Sequence, residues 1–452
     1  MRRLAFASLA LLLSTAGCGA PPPAPAPVPK EAAPPPGPAP APTKAPPSTS
    51  DPVAAREARE AERKTFDFQL ANLDRQIAGR TKIAEDNGKS GIAFGAVASL
   101  YLARARLSGS YDDYAKAEEF VDRAFSLSPR GNGPFMVRAR LNYTLHRLDR
   151  VDEDYAKASQ LPTRDPQTLF QRELFRANLE FQRGQYEEAK RDLDQALTRK
   201  QMLSAQASLA LYHWKAGEFD QAEALYRKAI DEYRDDPTEP LAWLHLQLGL
   251  MDLERGRYDE ALAHYREAEA LIRGYWLIEE HIAEILTLQD KTAEAEALYR
   301  SIIDRTDNPE FMDALGELLE AAGKAEEAQQ WYAKAAERYE SQLARFPEAA
   351  YGHALEHFLA HGDDPARALE MAERNHALRP NVDAKRFLAE AQLAAGKPAD
   401  ALATIEAALA TPMRSADLHA TAAAIYAANG DETKAQAQRE AAMAINPKVE
   451  LE

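Results

Sequence analysis

The sequence predicts an all-α protein, an alpha-alpha superhelix (solenoid) of about ten helical hairpins. The prediction rests on a recurring pattern and on its period. A small residue, usually alanine, is followed four positions later by a large one in nine of the ten copies, and usually by another alanine three positions after that. Six of the nine steps between copies are 33 or 34 residues, a period typical of stacked helical hairpins. The ten leading residues are Ala117, Val151, Ala189, Ala222, Ala261, Ala295, Ala328, Ala368, Ala401 and Ala435.

The amino terminus, residues 1–17, has the pattern of a signal peptide. A basic start is followed by ten apolar residues, too few for a bilayer span of about 20. Small residues directly before Cys18 resemble the bacterial lipoprotein cleavage site, and this resemblance implies that Cys18 becomes a diacylated amino terminus. The alternative is a chance cysteine beside an ordinary secretory cleavage site. Cys18 is the only cysteine, so the chain forms no internal disulfide.

A proline- and alanine-rich segment follows, and residues 18–52 are predicted to be a lipid-anchored, disordered tether. Fifteen of the 28 prolines lie between Pro21 and Pro52. Such a composition favours polyproline II at about 3.1 Å per residue, so the tether could reach roughly 100 Å. We expect it to hold the folded part away from a membrane.

The folded part is predicted to begin with a helical cap at residues 53–96 and to continue as one solenoid over residues 97–452. Phe66, Leu70, Leu73 and Ile77 recur at helical spacing. A terminal helix of this kind is expected, because the end of a repeat array needs an atypical outer face.

The repeat motifs resemble the tetratricopeptide repeat. One unit carries Leu248-Gly249 in its first helix, Gly256-Arg257-Tyr258 at its turn, and then Ala261, Tyr265 and Ala268; another carries Leu315-Gly316, Gly323, Ala328, Tyr332 and Ala335. Arg138 and Arg176 stand where the family has Leu or Gly, so we expect looser packing in those units. The resemblance implies a protein-binding array and covers about Val97 to Pro447.

Charge divides unevenly along the chain. Residues 1–200 carry a formal charge of +5 and residues 201–452 carry −21, within a total of −16. The acidic half argues against a nucleic-acid partner, which requires basic stripes. The asymmetry suggests partner steering, although solvated helix faces rich in glutamate would give the same balance.

In tetratricopeptide arrays one side of each first helix lines the concave groove, and the resemblance therefore implies a set of groove residues here. The set is aromatic and apolar toward the amino end and acidic farther on. A partner segment would contact its aromatic members, in keeping with the usual role of aromatic anchors. The alternative is that these aromatics are ordinary packing between helices. The predicted groove residues are Arg140, Tyr143, Phe181, Trp214, Trp243, Leu246, Leu250, Glu317 and Glu390.

His353, His357 and His361 lie four residues apart and form a stripe on one helix face. Metal binding is one hypothesis, with Glu317 or Glu390 as carboxylate ligands, although three histidines spanning eight residues cannot easily reach one ion. A proton-sensitive surface and a plain solvated stripe are the alternatives.

Catalytic motifs are missing from the sequence: there is no Gly-x-Ser-x-Gly elbow, no glycine-rich phosphate loop and no His-Glu-x-x-His motif. We therefore expect no enzyme activity, no cofactor and no small-molecule substrate. The expected function is a non-catalytic scaffold that binds protein partners in assembly, secretion or export machinery of the bacterial cell envelope. Its expected location is lipid-anchored at the outer membrane, facing the periplasm. The alternative function is metal- or pH-responsive binding through the histidine stripe.

Overall fold

The computed structural model describes residues 60–88, 90–129, 132–234, 238–362 and 364–451. In these residues a lead helix, α1 (Phe66–Asn87), precedes ten antiparallel helical hairpins. The two helices of each hairpin are, in chain order, α2 (Gly91–Ser108) and α3 (Tyr111–Ser126), α4 (Phe135–Thr144) and α5 (Leu148–Gln160), α6 (Pro166–Gln182) and α7 (Tyr186–Arg199), α8 (Leu203–Lys215) and α9 (Phe219–Glu232), α10 (Glu239–Glu254) and α11 (Tyr258–Leu271), α12 (Trp276–Leu288) and α13 (Thr292–Thr306), α14 (Pro309–Ala321) and α15 (Ala325–Arg345), α16 (Pro347–Ala360) and α17 (Pro365–Leu378), α18 (Val382–Ala394) and α19 (Pro398–Leu409), and α20 (Ala416–Ala428) and α21 (Glu432–Ile445).

This architecture confirms the predicted all-α solenoid of ten hairpins. Each of the ten leading residues, from Ala117 to Ala435, lies in the second helix of its hairpin and is at most 1% exposed. A small side chain at this position lets the neighbouring helix approach closely, and the large residue four positions later fills the space that remains.

The Leu-Gly motif has a steric reason. A Cβ added to Gly316 would lie 2.4 Å from Cε1 of Tyr332, and one added to Gly249 would lie 2.3 Å from Cε1 of Tyr265. Both tyrosines belong to the second helix of the same hairpin, where they are buried. The glycine therefore allows a tyrosine ring to lie directly on the first helix.

In the two units that have arginine in place of Leu or Gly, an ion pair joins the first helix to the second. Arg138 donates from Nε and Nη2 to the two carboxylate oxygens of Asp154, each at 2.7 Å. Arg176 donates a single hydrogen bond of 2.5 Å from Nη2 to Oδ2 of Asp192. Both aspartates are buried, so the two helices of each of these units are joined by a charge pair, and looser packing of these units stays a prediction.

The hairpins coil so tightly that successive turns of the superhelix touch. The amide of Val382 in the ninth hairpin donates to the hydroxyl of Tyr186 in the third at 2.8 Å, across 196 residues. Arg147 in the second hairpin pairs with Glu348 in the eighth at 3.2 Å. In both contacts a hairpin meets the sixth one after it, so about six hairpins complete one turn.

The same coiling covers the start of the array. The amide of Phe66 donates to the carbonyl of Arg273, and the amide of Arg273 donates to the carbonyl of Lys64, both at 2.9 Å. Trp276 donates from Nε1 to the carbonyl of Leu107 at 3.0 Å. Helix α1 is thus held by residues more than 200 positions later.

The predicted domain boundaries lie partly outside the described residues. The signal peptide, Cys18 and the tether all fall there. The boundary predicted between residues 96 and 97 falls inside α2, so the cap consists of α1 and the array starts at Gly91. Among the described helices, none combines the length and the apolar character that a membrane crossing requires.

Candidate functional site

The stacked turns enclose a cavity of about 560 Å³ on the inner side of the superhelix. Its wall takes residues from at least seven hairpins, from Arg106 near the amino end to Leu418 near the carboxyl end. We call it the inner cavity. Charged side chains of both signs line it, among them Arg106, Lys215, Glu254, Glu356, Arg379, Arg386, Arg414 and Asp417.

Several of these charges neutralise one another. Lys215 donates to Glu254 at 2.5 Å, and Trp214 donates from Nε1 to the other carboxylate oxygen of Glu254 at 2.7 Å. Arg386 donates to Glu390 at 2.8 Å. Burial raises the pKa of Glu356 to about 8, against the lowering effect of Arg386. The cavity wall is therefore polar and largely self-paired.

Arg379 is the exception. Its side chain donates to the Oδ1 of Asn375 at 2.9 Å and lies 3.2 Å from Nε2 of His146, but its Nε is buried without a hydrogen-bond partner. No carboxylate oxygen of the described residues lies within 4.0 Å of this guanidinium, which is 8% exposed. Burial lowers the pKa of Arg379 to about 10, while Asp383 opposes that shift. A buried cation without a paired anion faces the inner cavity.

The predicted groove aromatics lie inside the helix packing. Tyr143, Trp214 and Leu246 are at most 4% exposed, and Phe181, Trp243 and Leu250 pack half-buried against the apolar clusters. The ring of Phe181 meets Tyr186 edge-on at 5.4 Å between centroids. These contacts support the packing interpretation, because the buried side chains offer no surface to a partner and the half-buried ones offer only part of theirs. A partner-binding role for these residues stays a prediction.

The two glutamates of the predicted set have partners of their own. Glu317 is buried beside His361, and Glu390 accepts from Arg386 and Thr421. Arg140 is half-buried, and burial is the main reason that its pKa is lowered. Of all the predicted site residues, His353 is the one that the structure places in the wall of the inner cavity.

The histidine stripe faces a parallel stripe of carboxylates on α14. Nδ1 of His353 lies 3.0 Å from Glu310, Nδ1 of His357 lies 2.9 Å from Asp313, and Nε2 of His361 lies 3.4 Å from Glu317. We call these three contacts the histidine–carboxylate ladder. Because each imidazole has a different carboxylate, the three histidines do not converge on one point as ligands of a single ion would.

Burial holds the first rung of the ladder in its neutral form. It lowers the pKa of His353 to about 4, with a further contribution from Arg379. It raises the pKa of Glu310 to about 8, with a further contribution from the charge of Asp313. At neutral pH the 3.0 Å contact therefore joins an uncharged carboxyl and an uncharged imidazole.

Sequence reasoning missed Arg379 and the residues around it. Arg379 ends a second helix just before Pro380, a position that carries no motif signal. Its neighbour His146 ends the first helix of the second hairpin, 233 residues earlier. Only the stacking of turns brings the two together.

Comparison with protein families supports the repeat assignment. Models described as tetratricopeptide repeat match residues 201–273, 382–407 and 176–203. Over these segments the chain is similar to tetratricopeptide repeats. Such repeats generally mediate protein–protein interactions. A comparison with curated protein sequences gives no match.

Solved structures resemble the chain at the level of the helical-repeat fold. A tetratricopeptide repeat protein from Parabacteroides merdae is 19% identical, with 54% of this chain and 94% of that one covered and a TM-score of 0.32. The human IFIT1 dimer with m7Gppp-AAAA is 14% identical, with 83% and 94% covered and a TM-score of 0.40. Naa15/Naa10 bound to HypK-THB is 17% identical, with 82% and 68% covered and a TM-score of 0.28. No function is transferred from these proteins.

Proposed function

We propose that this chain is a non-catalytic interaction scaffold of the bacterial cell envelope, which is anchored by lipid at Cys18 and binds a segment of a partner protein in the inner cavity. The observation that carries the binding proposal is the inner cavity itself, a space of about 560 Å³ whose wall is shared by both turns of the superhelix. This volume lies in the range of ordinary ligand pockets, about 300–1,000 Å³.

The chemistry of the wall indicates what kind of segment would fit. Arg379 is a buried cation without a carboxylate partner, while Arg386, Lys215 and Glu254 are already paired. The preferred segment is therefore polar and carries a carboxylate that can reach Arg379, rather than the apolar segment that an aromatic groove would select. This replaces the aromatic anchors as the basis of partner recognition.

The anchoring proposal rests on the amino-terminal sequence. A short apolar stretch, small residues and then Cys18 fit lipoprotein processing, and the tether from Pro21 to Pro52 would separate the repeats from the membrane. We place the repeats in the periplasm, attached to the outer membrane.

Pull-down from envelope fractions tests the binding proposal. The wild type is compared with Arg379→Gln and with a matched control, Arg227→Gln, an exposed arginine paired with Glu223 on its own helix. We expect the cavity variant to lose partners that the wild type and the control retain, at unchanged helicity by circular dichroism. Equal capture by all three would contradict binding in the inner cavity.

Membrane attachment is tested separately. Cells that express Cys18→Ser should release the protein from the membrane fraction and should not label it with fatty acid, whereas the wild-type protein should stay in the membrane fraction and should carry the label. Retention of the variant in the membrane fraction would contradict lipid anchoring at Cys18.

A second candidate function is pH-responsive binding, and the histidine–carboxylate ladder favours it over metal binding by the same histidines. Three imidazoles each face one carboxyl group between α14 and α16. His353 also lies beside Arg379 and lines the inner cavity, so its protonation would add positive charge where the partner is proposed to bind. Because burial lowers the pKa of His353 to about 4, partner affinity measured between pH 3.5 and 6.5, with His353→Gln as the control, tests this candidate.

A further inference from the structure

Two histidines and a glutamate meet on the fifth hairpin, away from the histidine–carboxylate ladder. His245 lies on α10, and His264 and Glu267 lie on α11. Oε2 of Glu267 is 2.7 Å from Nδ1 of His245 and 3.2 Å from Nδ1 of His264. One ligand atom from each of the three residues lies within 4.8 Å of the other two.

Helix geometry produces this arrangement. His264 and Glu267 are three residues apart, so they lie on one face of α11. His245 faces them from the antiparallel helix, with its ring centroid 6.1 Å from that of His264. The imidazole side chains are 15% and 12% exposed, whereas Glu267 is 56% exposed. The cluster therefore lies at an edge of the hairpin, where an ion can enter from solvent.

The donor atoms have the chemistry of metal ligands. Nδ1 of His245 is buried, and no hydrogen bond of normal geometry reaches it although Glu267 is 2.7 Å away. Burial lowers the pKa of His245, so its imidazole is neutral at pH 7 and offers a lone pair. Nε2 of His264 lies 3.8 Å from Oδ2 of Asp252, a carboxylate that could hold the far side of the ring.

We propose that His245, His264 and Glu267 bind one divalent transition-metal ion, with zinc as the preferred metal and water in the remaining position. Two imidazoles and one carboxylate form a ligand set that zinc uses in proteins, at about 2.0–2.2 Å from each ligand atom. The imidazoles disfavour magnesium and calcium, which prefer oxygen ligands. A bound ion would clamp α10 against α11. This site does not depend on the proposed function.

A second cluster, Glu280, His281 and Glu284 on α12, has similar composition but different surroundings. All three residues are buried, and Glu280 and His281 are adjacent in sequence. Burial raises the pKa of Glu280 well above its usual value, which opposes the ionisation that metal binding requires. Because all three of these residues are buried whereas Glu267 is exposed, the fifth hairpin is the better site for an ion that enters from solvent.

Zinc titration of the full chain by calorimetry tests the proposal, together with the visible absorption of the cobalt-loaded protein. We expect saturable binding of one ion at this site and intense cobalt bands typical of four ligands. His264→Ala and Glu267→Gln should each weaken zinc binding by more than tenfold. Asp252→Asn should weaken it by about tenfold, because it removes only a group that orients His264.

Two controls locate the site. His376→Ala removes a half-buried histidine elsewhere and should leave zinc binding unchanged; His357→Ala removes the middle of the histidine–carboxylate ladder and should also leave it unchanged. Circular dichroism without metal confirms that every variant is folded. Absence of saturable zinc binding, or loss in His357→Ala with retention in His264→Ala, would overturn the proposal.

Discussion

The backbone amide of Arg414 donates a hydrogen bond of 2.7 Å to the carbonyl oxygen of Lys215. Lys215 ends the first helix of the fourth hairpin, and Arg414 immediately precedes the tenth. Neither residue belongs to the repeat motif, yet this bond joins two turns of the superhelix. The inner cavity exists because such contacts keep the turns stacked, and both residues lie in its wall.

Stacking should depend on the hydroxyl of Tyr186. In Tyr186→Phe the buried amide of Val382 loses its acceptor, and a buried group left unpaired costs about 1–3 kcal/mol. The matched control is Tyr265→Phe, because the Tyr265 hydroxyl is buried without a hydrogen-bond partner. Urea unfolding should show a clear loss of stability for the first variant and none for the second. Equal losses of stability in the two variants would mean that the hydrogen bond between Tyr186 and Val382 does not stabilise the protein.

The glycine of the Leu-Gly motif should not tolerate alanine. A methyl group at Gly316 would meet the ring of Tyr332 at 2.4 Å, so Gly316→Ala must displace a buried tyrosine and should cost about 1–3 kcal/mol. Gly79→Ala is the control, since Gly79 lies in helix α1 with no atom within 4 Å of the added methyl group. It should stabilise the protein by about 0.5–1 kcal/mol. Thermal unfolding measures both changes.

We expect the buried carboxyl group of Glu310 to make the free energy of unfolding fall as pH rises. Its pKa is raised from 4.5 to about 8, so the folded protein keeps a proton that the unfolded chain releases. The associated stability is complete below pH 4.5 and is lost as pH rises toward 8, at roughly 1.4 kcal/mol per unit of pKa difference. Glu310→Gln cannot ionise and should exceed the wild type in free energy of unfolding by more at pH 8.5 than at pH 5.

The control for this pH dependence is Glu326→Gln, an exposed residue in the first turn of α15. Its difference from the wild type should be the same at both pH values. A constant difference for Glu310→Gln as well would show that the Glu310 carboxyl is not held protonated in the folded protein.

Two arginine-to-methionine variants should differ sharply. Arg138 is bonded through two nitrogens to the buried Asp154, so Arg138→Met leaves a carboxylate unpaired and should cost about 3–5 kcal/mol. Arg379 has no carboxylate within 4.0 Å, so Arg379→Met relieves a buried charge and should stay within about 1 kcal/mol of the wild type. A large loss for Arg379→Met would mean that the protein itself neutralises this arginine.

The hairpins were predictable from the sequence because their packing is local. Tyr265 packs against Gly249, 16 residues earlier in the same hairpin, and the position of Ala261 is buried in all ten hairpins. The opposing faces of the histidine–carboxylate ladder were also partly predictable. His361 and Glu317 occupy equivalent phases of neighbouring first helices, so a helical-phase argument places them on one side.

The inner cavity was not predictable in the same way. The repeat period predicts how each hairpin packs on the next, but it does not predict how many hairpins complete one turn of the superhelix. That number depends on connection residues such as Arg414 and on contacts such as that between Tyr186 and Val382.

Amide hydrogen exchange at Arg414 and Arg273 tests the stacking of the turns most directly. Both amides lie in connections between helices and bond only to carbonyls of the other turn, Lys215 and Lys64. With Arg164, in an exposed connection, as the fast-exchanging reference, we predict strong protection of Arg414 and Arg273. Exchange of Arg414 and Arg273 as fast as that of Arg164 would show that the turns separate in solution, and the inner cavity would then not exist as a binding site.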